Sequence, residues 1–142
     1  MPSFEVSAPD LRAAGPILQL FIGPSREVIT ALGHDAVAAP TPVSALVDTG
    51  AAVTVITAET AKILALRSVG ATPIHTPTTI EPVMCREFHV NVYLSGEVII
   101  ENILAVEAAL TGQPFQCLIG RDVLSRGTFI YDGADNHFRL IF

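Results

Sequence analysis

The sequence predicts a mainly β domain, and two observations carry this prediction. Short segments that are apolar, β-branched or alternating recur along most of the chain, separated by Gly, Pro and polar turns, which is typical of strands. Only two or three short segments carry the capping residues of a helix. At 142 residues the chain is long enough for one domain with a core of its own.

The first strands lie on either side of a short predicted helix. Residues 16–23 are an apolar run between a Pro and a Gly-Pro break, which predicts a strand. A capping Ser begins a helix over residues 25–33 and a Gly ends it, and residues 36–42 are a loop. Residues 43–48 predict a strand that is apolar on both faces near its end, as in a buried strand, and the β-branched residues 52–56 predict another strand.

The middle of the chain predicts a helix followed by two β-hairpins. A capping Thr and an early Glu start a helix over residues 57–66. Residues 68–85 carry three prolines and predict a hairpin with a polar tip near residues 76–79. Residues 86–94 alternate clearly, and a Gly turn leads into the strand at 97–107.

The last part of the chain alternates between strand and helix signals. Residues 115–120 predict a buried strand, and residues 121–126 form one or two helical turns that a Gly stops. Residues 128–142 predict a hairpin around residues 132–136 that ends in an apolar strand at 137–142. An exposed apolar strand at the edge of a sheet invites aggregation, so we expect a partner strand to cover it.

Residues 1–15 lack a clear pattern and are predicted to be an extended N-terminal arm, which leaves residues 16–142 as the folded domain. The composition is apolar, with 50% hydrophobic and 15% charged residues, and it suggests either a large core or a surface that is buried against a partner. A net charge of -6 and a single lysine argue against nucleic-acid binding.

Several features indicate a cytoplasmic protein without cofactor or metal. No apolar stretch reaches the roughly 20 residues of a membrane span, and the N-terminus does not resemble a secretion signal. Cys85 and Cys117 form no CxxC pattern, so we interpret them as reduced thiols. The 4 histidines have no metal-binding spacing.

One acid interrupts the apolar stretch 45-ALVDTGAAVTVIT-57. Charge in apolar surroundings is costly unless something offsets it, so Asp48 at the end of a strand needs a reason. Thr49 and Gly50 turn the chain tightly and hold the carboxylate at the tip of a rigid element. Two carboxylates that share a proton can act as base and acid, but a single one cannot do both. The pair 132-DG-133 lacks the preceding buried strand and the Thr-Gly, so the chain supplies only one such acid.

The sequence resembles the retroviral-type aspartic proteases, or retropepsins, which include the protease-like domain of the DNA-damage-inducible ubiquitin-shuttle proteins. The resemblance rests on 46-LVDTGA-51, on 118-LIGRDVL-124 and on the order of elements between them, with 72-TPIHTPTT-79 where the flap hairpin falls. It covers about residues 16–142. It implies the acid-protease fold, a closed β-barrel-like arrangement with two or three short helices and one lobe per chain.

The resemblance also implies an aspartic endopeptidase that acts as a homodimer on a peptide or protein substrate, without cofactor or metal. Asp48 would pair with Asp48 of the second subunit, Thr49 would lock the two loops together, and Gly50 would let the backbone and water approach the carboxylates. Ile119 and Gly120 would pack beneath the catalytic loop, and the terminal strand, with the arm, would join the dimer interface. The implied substrate-binding residues are Ala51, Val53, Val55, His75 and Leu118.

Three departures from the retroviral pattern stand out. Ala52 and Val53 occupy positions that are often acidic, so Arg121 lacks its usual carboxylate neighbour, and we expect it to form an ion pair near Asp122 or with another acid. The flap tip is Thr-Pro-Thr-Thr instead of Gly-rich. An insertion at 24–42 with a short helix replaces a tight turn.

Two other functions fit parts of the sequence. A catalytically weak retropepsin fold could bind peptides or proteins through the same cleft, because binding can survive where chemistry does not. A phosphate-binding domain of the actin and sugar-kinase type also places Asp-x-Gly after a strand, but it needs a longer, duplicated chain with a second such loop.

Overall fold

The structure is a computed structural model that describes residues 1–32, 38–75 and 80–142. The strands of the described residues are β1 (Ser3–Ser7), β2 (Ile17–Pro24), β3 (Thr41–Val47), β4 (Val55–Ile56), β5 (Gly70–Ile74), β6 (Val83–Tyr93), β7 (Ile99–Glu107), β8 (Cys117–Ile119), β9 (Thr128–Asp132) and β10 (His137–Ile141). The helices are α1 (Leu11–Ala14), α2 (Arg26–Leu32), α3 (Ala58–Ile63) and α4 (Arg121–Leu124). The predicted mainly β fold is confirmed.

Two sheets organise the chain. Seven strands form one sheet in the order β2-β3-β8-β4-β7-β6-β5, and β2 also pairs with β6, so this sheet curls back on itself. The other sheet has three strands in the order β1-β10-β9. Strands β3 and β8 run parallel, as do β4 and β7, and the other pairings are antiparallel.

The core lies inside the curled sheet, because alternate residues of its strands point inward. Ala45 and Val47 of β3, Ile119 of β8 and Phe88 of β6 are buried there. The residues between them on the same strands, such as Leu46 and Leu118, are only half-buried and face the other way. Both faces of these strands are therefore largely apolar, which explains the continuous apolar run at residues 45–47.

The helices differ from their predictions in number and length. Thr57 caps α3 as predicted, with its side chain accepting a hydrogen bond from the Thr60 amide, but α3 ends at Ile63 and not at residue 66. Ser25 accepts a hydrogen bond from the Val28 amide at the start of α2. The described residues hold four helices and not two or three, because α1 lies in the segment predicted as an arm.

Both chain ends are built into the fold. The segment 1–15 contributes β1, which pairs with β10 along its whole length, and its Leu11 is fully buried in the core. The terminal strand is covered, as expected, and strands of the same chain cover it, because β10 is the central strand of its sheet and has β1 and β9 on its two sides. That pairing could not be read from the sequence, since β1 and β10 lie at opposite ends of the chain.

The two strands of the hairpin predicted around the polar tip are present. Strands β5 and β6 pair in antiparallel register, with Ile74 opposite Val83. The tip, residues 76–79, lies outside the described residues, as does the Gly predicted to end α2. No helix among the described residues is long and apolar enough to cross a membrane.

One ion pair ties β6 to β7. The Arg86 guanidinium donates two hydrogen bonds to the Glu107 carboxylate, at 2.7 and 2.6 Å. These bonds hold the pKa of Glu107 below its usual range, and its partial burial opposes them. The pair therefore stabilises the fold above the pKa of an unfolded Glu, about 4.3, and the contribution is lost as the pH falls through the lowered folded pKa.

We therefore expect Glu107→Gln to lower the melting temperature at neutral pH and to lose this effect below about pH 4. Thermal unfolding followed by circular dichroism from neutral to acid pH measures it. Glu97→Gln is the matched control, since Glu97 is exposed in the turn between β6 and β7. A Glu107→Gln deficit that stays constant with pH would contradict the account.

Candidate active site

The loop after β3 holds Asp48 in place through its backbone. The Asp48 amide donates to the Ile119 carbonyl at 2.9 Å, which continues the β3–β8 pairing by one residue. The Ala51 amide donates to the Asp48 carbonyl at 3.2 Å and closes the turn. The Asp48 side chain is half-buried at the end of this strand, so a rigid sheet positions the carboxylate.

Two reasons were predicted for the glycine at position 50, a tight turn and a close approach to the carboxylate, and the structure supports the second. The Gly50 backbone does not lie in the left-handed region, so conformational freedom is not what the turn requires. Instead its amide donates to Asp48 Oδ1 at 2.8 Å, and a Cβ built on Gly50 would lie 3.1 Å from the same oxygen. The glycine therefore allows the carboxylate to lie directly against the loop backbone.

Arg121 supports the loop from α4, but not as the ion pair that we predicted. Its guanidinium Nη1 donates to the Thr49 carbonyl at 2.7 Å, and its amide donates to the Ala51 carbonyl at 2.8 Å. No carboxylate pairs with Arg121 among the described residues. Because Ala52 and Val53 replace the acids, the guanidinium binds a backbone carbonyl of the loop instead.

A polar cluster behind the loop, Thr54 and Asp122, was not predicted. Asp122 Oδ2 accepts from the Thr54 amide at 2.9 Å, and Oδ1 accepts from the Thr54 hydroxyl at 2.8 Å. The Thr54 oxygen in turn accepts from the Gly120 amide at 3.3 Å. Thr54 is fully buried, so these bonds satisfy its polar groups and join the end of the loop, just before β4, to the start of α4. The only sequence signal was a Thr in a run of β-branched apolar residues.

We expect Thr54→Val to lower the free energy of unfolding by about 1–3 kcal/mol, because it removes one hydrogen bond from Asp122 and leaves the Gly120 amide unpaired. Urea unfolding of the variant measures the change. Thr111→Val is the control, since Thr111 is exposed in a loop. In a double-mutant cycle with Asp122→Asn the two losses should be strongly non-additive, and independent losses would refute the cluster.

Gly120 lies directly under the loop, as predicted. A Cβ built on it would come within 2.5 Å of the Val53 carbonyl carbon and oxygen and within 3.0 Å of the Ala51 oxygen. Its φ of -90° is open to any residue, so the requirement for glycine here is the close approach of two backbones.

An apolar row runs away from the loop on the outer face of the sheet. Leu46 of β3 lies opposite Leu118 of β8, Leu118 lies opposite Val55 of β4, and Val55 lies opposite Val106 of β7. Residues paired in this way point to the same face. Leu46, Leu118 and Val55 are each half-buried, so the row forms an apolar floor beside Asp48.

The structure thus brings most of the predicted site residues together and leaves one apart. Thr49 and Gly50 are exposed in the loop, Ala51 is half-buried beside them, and Val53 lines a cavity with Thr72 and Ile74 of β5. His75 is exposed at the end of β5, and no described contact joins it to the loop.

Two other groups of potentially reactive side chains among the described residues have structural roles. Asp132, Asp135 and His137 bring potential metal ligands within 4.8 Å of one another in the β9–β10 turn. Turn formation accounts for this cluster, since Asp132 Oδ1 accepts from the Asp135 amide at 3.1 Å. Cys117 is buried in the core, and burial raises the pKa of its thiol, so it is not a nucleophile.

The sheet presents one Asp-Thr-Gly loop, and the Gly-Arg start of a short helix braces it, as the resemblance to the retropepsins implies. The family model described as "gag-polyprotein putative aspartyl protease" matches residues 36–126, more than half of the chain. The chain therefore belongs to this family of retropepsin-like aspartic proteases, and the predicted resemblance is confirmed.

Solved structures of the same kind are similar to it. One is a retropepsin-like aspartic protease from Rickettsia conorii, at 18% identity, covering 87% of this chain and 90% of that chain with a TM-score of 0.49. Another is the retroviral protease-like domain of Ddi1 from Leishmania major, at 16% identity, covering 89% and 94% with a TM-score of 0.47. No curated protein matches the chain.

Proposed function

We propose that the protein is a homodimeric aspartic endopeptidase whose site contains Asp48 from each of two subunits. The observation that carries the proposal is a rigid loop with a single carboxylate. The other acid near the loop, Asp122, accepts three hydrogen bonds, from the Thr54 amide, the Thr54 hydroxyl and the Val123 amide. These hydrogen bonds occupy the Asp122 carboxylate, so the second catalytic carboxylate has to come from another copy of the chain.

The proposed chemistry needs one proton shared by the two Asp48 carboxylates. The ionised carboxylate takes a proton from a water, whose oxygen attacks the peptide carbonyl carbon, while the protonated carboxyl gives its proton to the carbonyl oxygen. The tetrahedral intermediate then collapses, the C–N bond breaks, and a proton passes to the leaving nitrogen. The Gly50 amide at Asp48 Oδ1 keeps the carboxylate oriented through these steps.

The substrate fits the apolar row. An extended peptide laid over Leu46, Leu118 and Val55 would bury apolar side chains next to the cut bond. The β5–β6 hairpin supplies the opposite wall, since Thr72 and Ile74 share a cavity with Val53, five positions after Asp48. Hairpin edges can add main-chain hydrogen bonds to such a peptide.

The dimer contact that the structure favours is the free edge of β9. The other edge strand of this sheet, β1, carries Glu5 in an ion pair with Arg139 and has Pro2 and Pro9 at its ends, which discourage pairing. Strand β9 has no charge before Asp132, and its Ile130 is 41% exposed. Two β9 strands paired across a two-fold axis would join the sheets of both subunits.

We expect Ile130→Lys to give an inactive monomer, because a lysine on an edge strand opposes strand pairing. Sedimentation velocity and peptide hydrolysis measure the two effects. Ser7→Lys, an exposed position on β1, is the matched control and should stay dimeric and active. Deleting residues 137–142 is a poor test, since it removes the buried Phe138 and Leu140. A dimeric, active Ile130→Lys protein would overturn this interface.

The function itself is tested by digesting a mixed peptide library from acid to alkaline pH and identifying the products by mass spectrometry. We expect cuts between apolar residues and a rate that falls at high pH, where the shared proton is lost. A rate that keeps rising with pH would contradict the mechanism. Peptide binding without any cut would favour a catalytically weak binding module.

A cytoplasmic location is part of the proposal, and the free thiols of Cys85 and Cys117 support it.

A further inference from the structure

A cavity of about 310 Å³ extends the proposed cleft beyond the apolar row. Val53 of the loop that holds Asp48 and Thr72 of β5 both line it, so the cavity lies between that loop and the β5–β6 hairpin. Most of the wall is apolar, and Val106 of β7 contributes to it. Three charged side chains also line it, namely Glu87, Asp122 and Arg126.

Glu87 continues the cross-strand row that forms the apolar floor. Val106 of β7 is opposite Glu87 of β6, and Glu87 is opposite Gly70 of β5. The carboxylate rests over that glycine, because a Cβ built on Gly70 would lie 3.2 Å from Glu87 Oε1. The strand register therefore places one carboxylate at the far end of a row that begins with Leu46 and Leu118.

Of the two carboxylates, Glu87 is the one available to a ligand. Asp122 is already bound to Thr54, and the third charge, Arg126, is a cation exposed just beyond α4 that would favour an acidic side chain instead. Glu87 is half-buried and forms no ion pair within the described part of the chain. Its neighbour Arg86 is bound to Glu107, and successive side chains of a strand point to opposite faces. A half-buried carboxylate in an apolar wall attracts a basic side chain.

We propose that Glu87 selects peptides with a Lys or Arg two residues away from the apolar residue that fills the Leu118–Val55 part of the cleft. This inference rests on the proposed peptide cleft. Strands are about 4.8 Å apart, so Glu87 lies roughly 10 Å from Val55 along the row. Side chains two residues apart in an extended peptide are separated by about 7 Å and lie on the same side. A long basic side chain spans the difference between these two distances.

The test measures peptide binding separately from cleavage. The Asp48→Asn protein, which should not turn over substrate, is titrated with fluorescent peptides that share a central apolar pair. Each carries Lys, norleucine or Glu two residues from the pair, in one set before it and in another set after it. We expect the Lys peptide to bind about fivefold more tightly than the norleucine peptide in at least one set, and the Glu peptide to bind most weakly.

Adding Glu87→Gln should abolish the Lys preference and leave the norleucine peptide unchanged, whereas adding Glu97→Gln, outside the cavity, should change nothing. Equal binding of all peptides, a preference for Glu directed by Arg126, a Lys preference that survives Glu87→Gln, or no binding at all would overturn the inference. If the charge preference appears but the wild-type protein cuts none of these peptides, the cleavage proposal fails and the Glu87 assignment stands.

Discussion

Replacing Asp48 with Asn is expected to reduce kcat/KM for peptide hydrolysis by at least about 1,000-fold. Asn keeps the size of the side chain and the acceptor for the Gly50 amide, which lies at 2.8 Å. What it removes is the ionised oxygen that takes a proton from water. The fold and the dimer should therefore be unchanged while the chemistry stops.

The measurement is the hydrolysis of the best peptide found in the library, with unfolding and sedimentation recorded for both proteins. The Asp122→Asn protein is a useful comparison, because it also loses one carboxylate within the same region but should lose stability more than turnover. Residual activity of Asp48→Asn near the wild-type level would show that Asp48 is not the catalytic carboxylate.

The largest expected effect on stability is that of Gly120→Ala. The added Cβ would meet backbone atoms of Val53 at 2.5 Å, and a backbone cannot rotate away as the end of a side chain can. We expect a loss of about 3 kcal/mol, or about 10 °C in melting temperature. The displaced segment is continuous with the catalytic loop, so peptide hydrolysis should fall as well.

Gly96→Ala is the matched control, because a Cβ on Gly96 meets nothing within 4 Å. Thermal unfolding of the two variants side by side separates the steric effect from the general cost of replacing glycine. A Gly120→Ala protein as stable and active as Gly96→Ala would mean that the loop and α4 are not packed as described.

The sequence was most informative where the signal was local. The strand that leads to Asp48, the turn after it and the helix that begins at Arg121 are all encoded by adjacent residues. The predicted strand at 52–56 was too long, because residues 48–54 form the loop and Thr54 turns its polar groups toward Asp122. That contact joins residues 68 positions apart, and β-branched composition gives no hint of it.

Pairings between distant segments were the part that the sequence did not reveal. The place of β10 between β1 and β9 depends on an N-terminal segment with no clear pattern, and it moves the proposed dimer contact from the terminal strand to β9. Glu87 illustrates the same limit. It alternates like any polar residue of a strand, and only the register through β7 and β4 places it in line with Leu118.

The proposed active site needs two Asp48 residues, one from each subunit. The most direct test mixes wild-type protein with Asp48→Asn protein under conditions that allow subunits to exchange, and measures hydrolysis as the fraction of wild type varies. If both carboxylates are required, activity per total protein falls as the square of that fraction, so an equal mixture retains about one quarter. A linear fall, with about one half retained, would show that each chain works alone and would contradict the account.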